Sequence, residues 1–148
     1  MSRHTAIRSF ARDDSGATAI EFAFVAIPFL LLLLGICEYA RLAWTQHVMQ
    51  AVTTSAARCI GVGQTECTSS GKYSATATSN FVMSQVSSFV APLNKDDIVI
   101  NPDTTCQGVP GFSTVSITYT FNSMAPQLLD AFTDIRLTAS SCYPRHAA

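Results

Sequence analysis

The chain has 148 residues, enough for one modest domain with its own core, and 48% of them are apolar. Charged residues make up only 13%, against a usual share of roughly 25%, which excludes a charge-rich disordered chain. Nine basic residues stand against ten acidic ones, a net charge of −1. No dense Lys/Arg patch is present, so no nucleic-acid partner is expected. The mean hydropathy of +0.26 points toward a membrane.

Residues 17–37 form a run of 21 with a single charge, Glu21. At 1.5 Å per residue a helix of that length crosses roughly 30 Å of hydrocarbon. Residues 22–36 hold no polar side chain. A core helix would need cover on every face of that run, which a chain this small cannot give, so a transmembrane helix is expected. Arg3, Arg8 and Arg12 precede the run and only Arg41 follows within 20 residues. That asymmetry places the N-terminus in the cytoplasm and residues 38–148 outside. A cleavable secretory signal shares the basic flank and the apolar run. Its apolar part, however, is usually only about 7 to 15 residues long, and no small-x-small site follows here before Glu38 and Arg41.

Glu21 is the most informative residue of the run. On insertion scales a carboxylate costs about 2.5–3.5 kcal/mol at the centre of a membrane helix and less toward the interface, so Glu21 calls for a partner unless it snorkels to the headgroups. Pro28 removes the helical hydrogen bond to the Phe24 carbonyl and predicts a kink, and Gly35 adds a second flexible point. Both are also ordinary in membrane helices. Ala17, Ala19, Ala23 and Ala26 offer close approach to neighbouring helices.

Past the membrane the helix is expected to continue over 38–58, because Leu42, Val48, Met49, Val52 and Ala56 share one face and no Pro or Gly intervenes before Gly61. Gly61, Gly63 and Gly71 among Thr65, Thr68, Ser69 and Ser70 mark a loop. A second helix is predicted over 74–90, with Phe81, Val82, Val86, Phe89 and Val90 as its apolar stripe. Ile98-Val99-Ile100 reads as a short strand ended by Asn101-Pro102-Asp103. Residues 113–121 alternate strictly, with Val115, Ile117, Tyr119 and Phe121 inward, and 135–143 alternate through Ile135, Leu137 and Ala139. Residues 125–132 are expected as a helical turn or loop between the last two strands. The expected fold class is α+β: a long N-terminal transmembrane helix running into a small external domain with a second helix and a three-stranded antiparallel sheet.

Of five cysteines, Cys37 lies in the membrane run and is expected as a small buried apolar residue. Cys59, Cys67, Cys106 and Cys142 fall outside the cytoplasm, where disulfides are favoured, and four cysteines allow three pairings. The reading preferred here joins Cys59 to Cys67, closing the loop after the long helix, and Cys106 to Cys142. The spacing lacks any close Cys pair of the zinc type, so no metal and no cofactor is expected. Asp96, Asp97 and Asp103 do not fit a calcium loop, and Pro102 interrupts them. His4, His47 and His146 are scattered, and no nucleophile motif or phosphate loop occurs. The chain is expected not to be an enzyme.

The context Asp13-Asp14-Ser15-Gly16-Ala17-Thr18-Ala19-Ile20-Glu21-Phe22 resembles the processing site of type IV prepilins. The wider string through Ala26-Ile27-Pro28-Phe29-Leu30, then Gly35-Ile36-Cys37-Glu38-Tyr39-Ala40-Arg41 and Ala56-Ala57-Arg58-Cys59, resembles the TadE/TadG-like pseudopilins of the tight-adherence (Flp) pilus system. The similarity is specific over about residues 12–59. It weakens beyond, where Leu137-Thr138-Ala139-Ser140-Ser141-Cys142-Tyr143-Pro144 resembles the family's closing strand.

The resemblance implies residues 1–16 as a cytoplasmic leader, residues 17–37 as the membrane helix and 38–148 as a pilin-like external domain. A prepilin peptidase would cut after Gly16 and leave Ala17 as the new N-terminus. Glu21 and Phe22 would then serve assembly and register, with Pro28 and Gly35 as the helix kink. The implied partners are the prepilin peptidase, other pilin and pseudopilin subunits and the inner-membrane assembly platform. The implied place is the bacterial inner membrane, with the domain in the periplasm, and the surface pilus after assembly. The role would be that of a minor or initiating subunit, since the major Flp-type pilins are much shorter. The rival reading is an uncleaved single-pass protein whose external domain binds a partner.

Overall fold

The computed structural model describes residues 15–87, 93–127 and 133–145. The leader up to residue 14, the stripe residues Phe89 and Val90, residues 128–132 of the last connection, His4 and His146 lie outside that set. In chain order the elements are helix α1 (Ser15–Val62), a 3-10 turn (Thr65–Cys67), β1 (Thr68–Ser69), β2 (Lys72–Tyr73), helix α2 (Ala75–Ser87), a second 3-10 turn (Lys95–Asp97), β3 (Ile98–Cys106), β4 (Val109–Phe121) and β5 (Ile135–Pro144). The class is α+β, and the chain divides into two compact units between Cys37 and Glu38.

The first unit is the apolar part of α1. From Ala19 onward the helix is long and apolar enough to cross a membrane, with a mean hydropathy of 2.5 over its most apolar window, none of which is buried in the chain. Cys37 is exposed and free, contrary to the expected burial. In a helix segment that buries none of its apolar window among the described residues, a small apolar residue faces whatever surrounds the helix, not a core.

The second unit begins with the rest of α1. Its buried stripe recurs at helical spacing through Thr45, Met49, Val52, Thr53, Ala56, Ala57, Cys59 and Ile60, with Leu42 and Val48 half-buried beside it. The two threonines were not legible as core because their hydroxyls are polar. Inside a helix each bonds back to a carbonyl, Thr45 Oγ1 to Arg41 O at 2.9 Å and Thr53 Oγ1 to Gln50 O at 3.0 Å, so only the methyl needs an apolar neighbour. Val82 and Val86 of α2, Val115, Ile117 and Phe121 of β4, and Leu137 and Ala139 of β5 complete the core. Each large side chain buried there stabilises by about 1.5–3 kcal/mol.

α1 is 48 residues long and runs past Gly61, where the sequence suggested its end. The stop comes at Gly63. Its φ of +73° lets its N–H reach Ile60 O at 3.1 Å while the Gln64 N–H reaches Cys59 O at 3.0 Å, a Schellman closure. Gly61 has another task. A Cβ there would lie 2.5 Å from Tyr143 Cδ1 and 2.7 Å from the Pro144 carbonyl, so its missing side chain lets β5 close onto the helix. Gly61→Ala should therefore destabilise by about 1–3 kcal/mol through overpacking, outweighing the ~1 kcal/mol helix-propensity gain. A lower urea midpoint at unchanged slope would report it, and a raised midpoint would contradict it.

The segment read as a plain loop after α1 contains the short hairpin β1–β2, whose turn residues Ser70 and Gly71 both take positive φ. The three-stranded sheet has order β3-β4-β5 and is antiparallel throughout. β3 does not end at Asn101-Pro102-Asp103. It is an edge strand, where a proline need not donate to a ladder, and the register from Asn101↔Thr114 to Thr104↔Phe112 places one extra residue on β3 there, a bulge. β4 begins at Val109, earlier than expected, because Gln107 and Gly108 both take positive φ and close a two-residue hairpin with β3. Disulfides join Cys59 to Cys67 and Cys106 to Cys142.

Candidate functional site

In α1, Gly16 and Ala17 lie in the first turn, since the helix begins at Ser15. Glu21 is exposed, as is Phe22 at 74%. Glu21 has no hydrogen-bond or ion-pair partner among the described residues. The helix continues through Pro28. Phe22, Val25, Ala26, Phe29 and Leu30 form a shallow groove with a wholly apolar lining. A Cβ added at Gly35 would meet no described residue within 4 Å, so none of them requires glycine there. The four disulfide cysteines all belong to the second unit, separate from these residues.

The structure adds a cluster that the sequence reading did not single out. Glu38 occupies the core-facing stripe of α1 about two turns before Thr45, and its side chain is buried, 5% of the residue being exposed. Arg41, one turn later, donates from Nη1 to Glu38 Oε2 at 2.9 Å and to Oε1 at 3.1 Å. The Met124 backbone N–H donates to the same Oε1 at 3.0 Å. The Arg41 guanidinium carbon stands 5.2 Å from the centre of the Phe121 ring, the last residue of β4. A carboxylate accepting a backbone N–H and a guanidinium is a charge-assisted clip. It fastens the end of β4 to α1 at the first turn of the folded unit. The sequence signal was Glu38-x-x-Arg41, an i,i+3 pair directly after the apolar run.

At the other end of α1, Ser113 Oγ bonds to Ala57 O at 2.8 Å and Tyr143 O at 3.2 Å, which ties helix and sheet where Ala56, Ala57 and Gly61 allow close approach. A cleft of about 340 Å³ there is lined by Gly63, Tyr73, Pro102 and Arg145 among others. Burial raises the Tyr73 phenol above its ordinary 10.0, so it stays protonated. Asp103 pairs with Arg145 at 3.4 Å, and Asp96 and Asp97 lie in a separate 3-10 turn. Among the described residues no three His, Cys, Asp or Glu side chains come together as a metal set.

No curated protein and no solved structure matches the chain. Residues 16–58 match the family model described as TadE-like protein, which spans α1 from its second residue through Glu38 and Arg41 to the residue before Cys59. The match thus falls on the membrane-capable helix and its extension into the folded unit.

Proposed function

We propose that the protein is a structural subunit associated with a tight-adherence pilus, inserted with its N-terminus in the cytoplasm, cut by a prepilin peptidase after Gly16 and assembled through α1. The observation that carries this reading is the TadE-like match lying on a helix whose most apolar window is not buried by any described residue. Such a helix is stable only in lipid or among other helices. The exposed, unpartnered Glu21 supports a lateral pairing. Cleavage creates an amine on Ala17, one helical turn from the Glu21 carboxylate. In a helix bundle the Glu21 of one subunit then pairs with the Ala17 amine of a neighbour and fixes the axial register, because an unpaired charge in lipid is costly. Gly35, which no described residue crowds, and the groove lined by Phe22, Val25, Ala26, Phe29 and Leu30 suit close approach by a neighbouring helix. The other partners are pilin-type subunits and the inner-membrane assembly platform, the domain stands in the periplasm, and the mature chain performs no catalysis.

Cleavage removes three of nine basic and two of ten acidic residues, so six stand against eight and the net charge becomes −2 on 132 residues. In cells carrying the cognate peptidase, the intact mass of the membrane-extracted protein is expected to correspond to a start at Ala17. Gly16→Trp should leave the full-length chain and abolish its incorporation into filaments. A start at Met1 or Ser2 in the unsubstituted protein would support the uncleaved single-pass anchor instead.

A further inference from the structure

We propose that the folded unit has a second contact with the membrane, made by residues 122–127 around Met124 together with Tyr39, Arg41 and Trp44, and that its ligand is the phospholipid interface. The inference rests on the reading that residues 19–37 span the bilayer.

Glu38 follows Cys37 without a break in α1, so the first turn of the folded unit emerges where the uncharged run ends. The Met124 N–H is bonded to the Glu38 carboxylate, which holds Met124 at the level of that turn. The residue is 78% exposed, the highest value among the described large apolar residues. Residues 121–127 carry no charge. Tyr39 and Trp44, 63% and 60% exposed, stand on the two flanks of the stripe that Glu38 begins. Trp44 is six residues beyond Glu38, or about 9 Å of rise, a depth comparable with the headgroup layer beyond the hydrocarbon.

Aromatic rings with a polar edge concentrate at this level because one side meets acyl chains and the other meets water. Arg41 adds a cation. Its side chain is 41% exposed although one nitrogen is engaged by Glu38, so guanidinium donors remain for a lipid phosphate. The apolar tip, the uncharged backbone around it, two interfacial aromatics and one half-free arginine match a headgroup layer. A flat protein partner would not require them to fall within the depth of one headgroup layer. The Glu38 clip then acts as a positioning device that keeps Met124 at the membrane.

The test uses the full chain in vesicles of phosphatidylcholine and phosphatidylglycerol, with Cys37→Ala removing the free thiol. Single cysteines at Met124→Cys, Lys72→Cys on the β1–β2 hairpin, and Ala26→Cys in the span each carry an environment-sensitive nitrobenzoxadiazole label. Lipids bearing a nitroxide near the headgroup act as quenchers. The expected result is blue-shifted, quenched emission at position 124, water-like unquenched emission at 72, and a lipid signature at 26. Water-like emission at 124 with lipid contact at 26 overturns the proposal and leaves the membrane reading intact. A blue shift at 124 without lipid quenching also overturns it, in favour of a protein on that face. Water-like emission at both 124 and 26 refutes the membrane reading and the proposal with it.

Discussion

Arg41→Ala is expected to cost more stability than Glu38→Ala, although both remove the same ion pair. The difference lies in what each leaves behind. Without Arg41, a carboxylate with almost no solvent access keeps the Met124 N–H as its donor, and an undercompensated buried charge costs about 3–5 kcal/mol. About 1 kcal/mol more goes with the contact between the guanidinium and the Phe121 ring. Without Glu38, the half-exposed guanidinium turns to water, and the main loss is the acceptor of the Met124 N–H, about 1–3 kcal/mol. Glu38→Gln keeps a carbonyl for that N–H, so the pair Glu38→Gln with Arg41→Met should be milder than Arg41→Ala alone. Urea unfolding of the full chain in detergent, followed by circular dichroism and arranged as a double-mutant cycle, measures the order. A Glu38→Ala loss equal to or above that of Arg41→Ala would mean that water reaches the carboxylate and that the clip is ordinary surface pairing.

This cluster also marks where the sequence stopped being legible. An apolar run of 21 residues needs no tertiary information, and neither does the strict alternation of 113–121, so the membrane-capable helix, the central strand and the α+β class could be read directly. The stripe of α1 was legible through Met49, Val52 and Ala56 but lost Thr45, Thr53 and Glu38. A periodicity argument counts apolar side chains and cannot see a hydroxyl satisfied within its own helix or a carboxylate satisfied by a residue 86 positions away. Gly61 and Pro102 read as breakers in the sequence for the same reason. A glycine at a helix–strand contact and a proline at an edge bulge look alike in sequence to those that end an element, and only the partner strand tells them apart. Gln107-Gly108 closes a tight hairpin with no Asn or Asp to announce it. For the candidate site, the residues that face outward from α1 could be named from sequence. The clip that ends the folded unit needed the long-range fold.

The second large effect concerns the disulfides, and the bridge between strands should contribute more than the one beside the helix. Cys59 and Cys67 are 8 residues apart, Cys106 and Cys142 are 36 apart. Restricting the unfolded chain is worth about 2.5 kcal/mol for the shorter loop and about 4 kcal/mol for the longer. Deleting cysteines would mix this with cavity formation, since Cys59 and Cys67 are fully buried. Reduction of a fixed chain avoids that. With Cys37→Ala throughout, the Cys59→Ala/Cys67→Ala variant compared oxidised and reduced reads the Cys106–Cys142 bridge, and the Cys106→Ala/Cys142→Ala variant reads the other. The first difference should exceed the second by about 1 kcal/mol or more. Cys106 and Cys142 lie on the two edge strands flanking β4, and Cys142 adjoins Tyr143, whose ring covers Gly61. Loss of this bridge should therefore loosen the seat of β5 on α1 as well as the sheet. Equal effects, or a larger effect of the short loop, would show that the unfolded chain keeps the β3–β4 hairpin and β5 near one another without the bond.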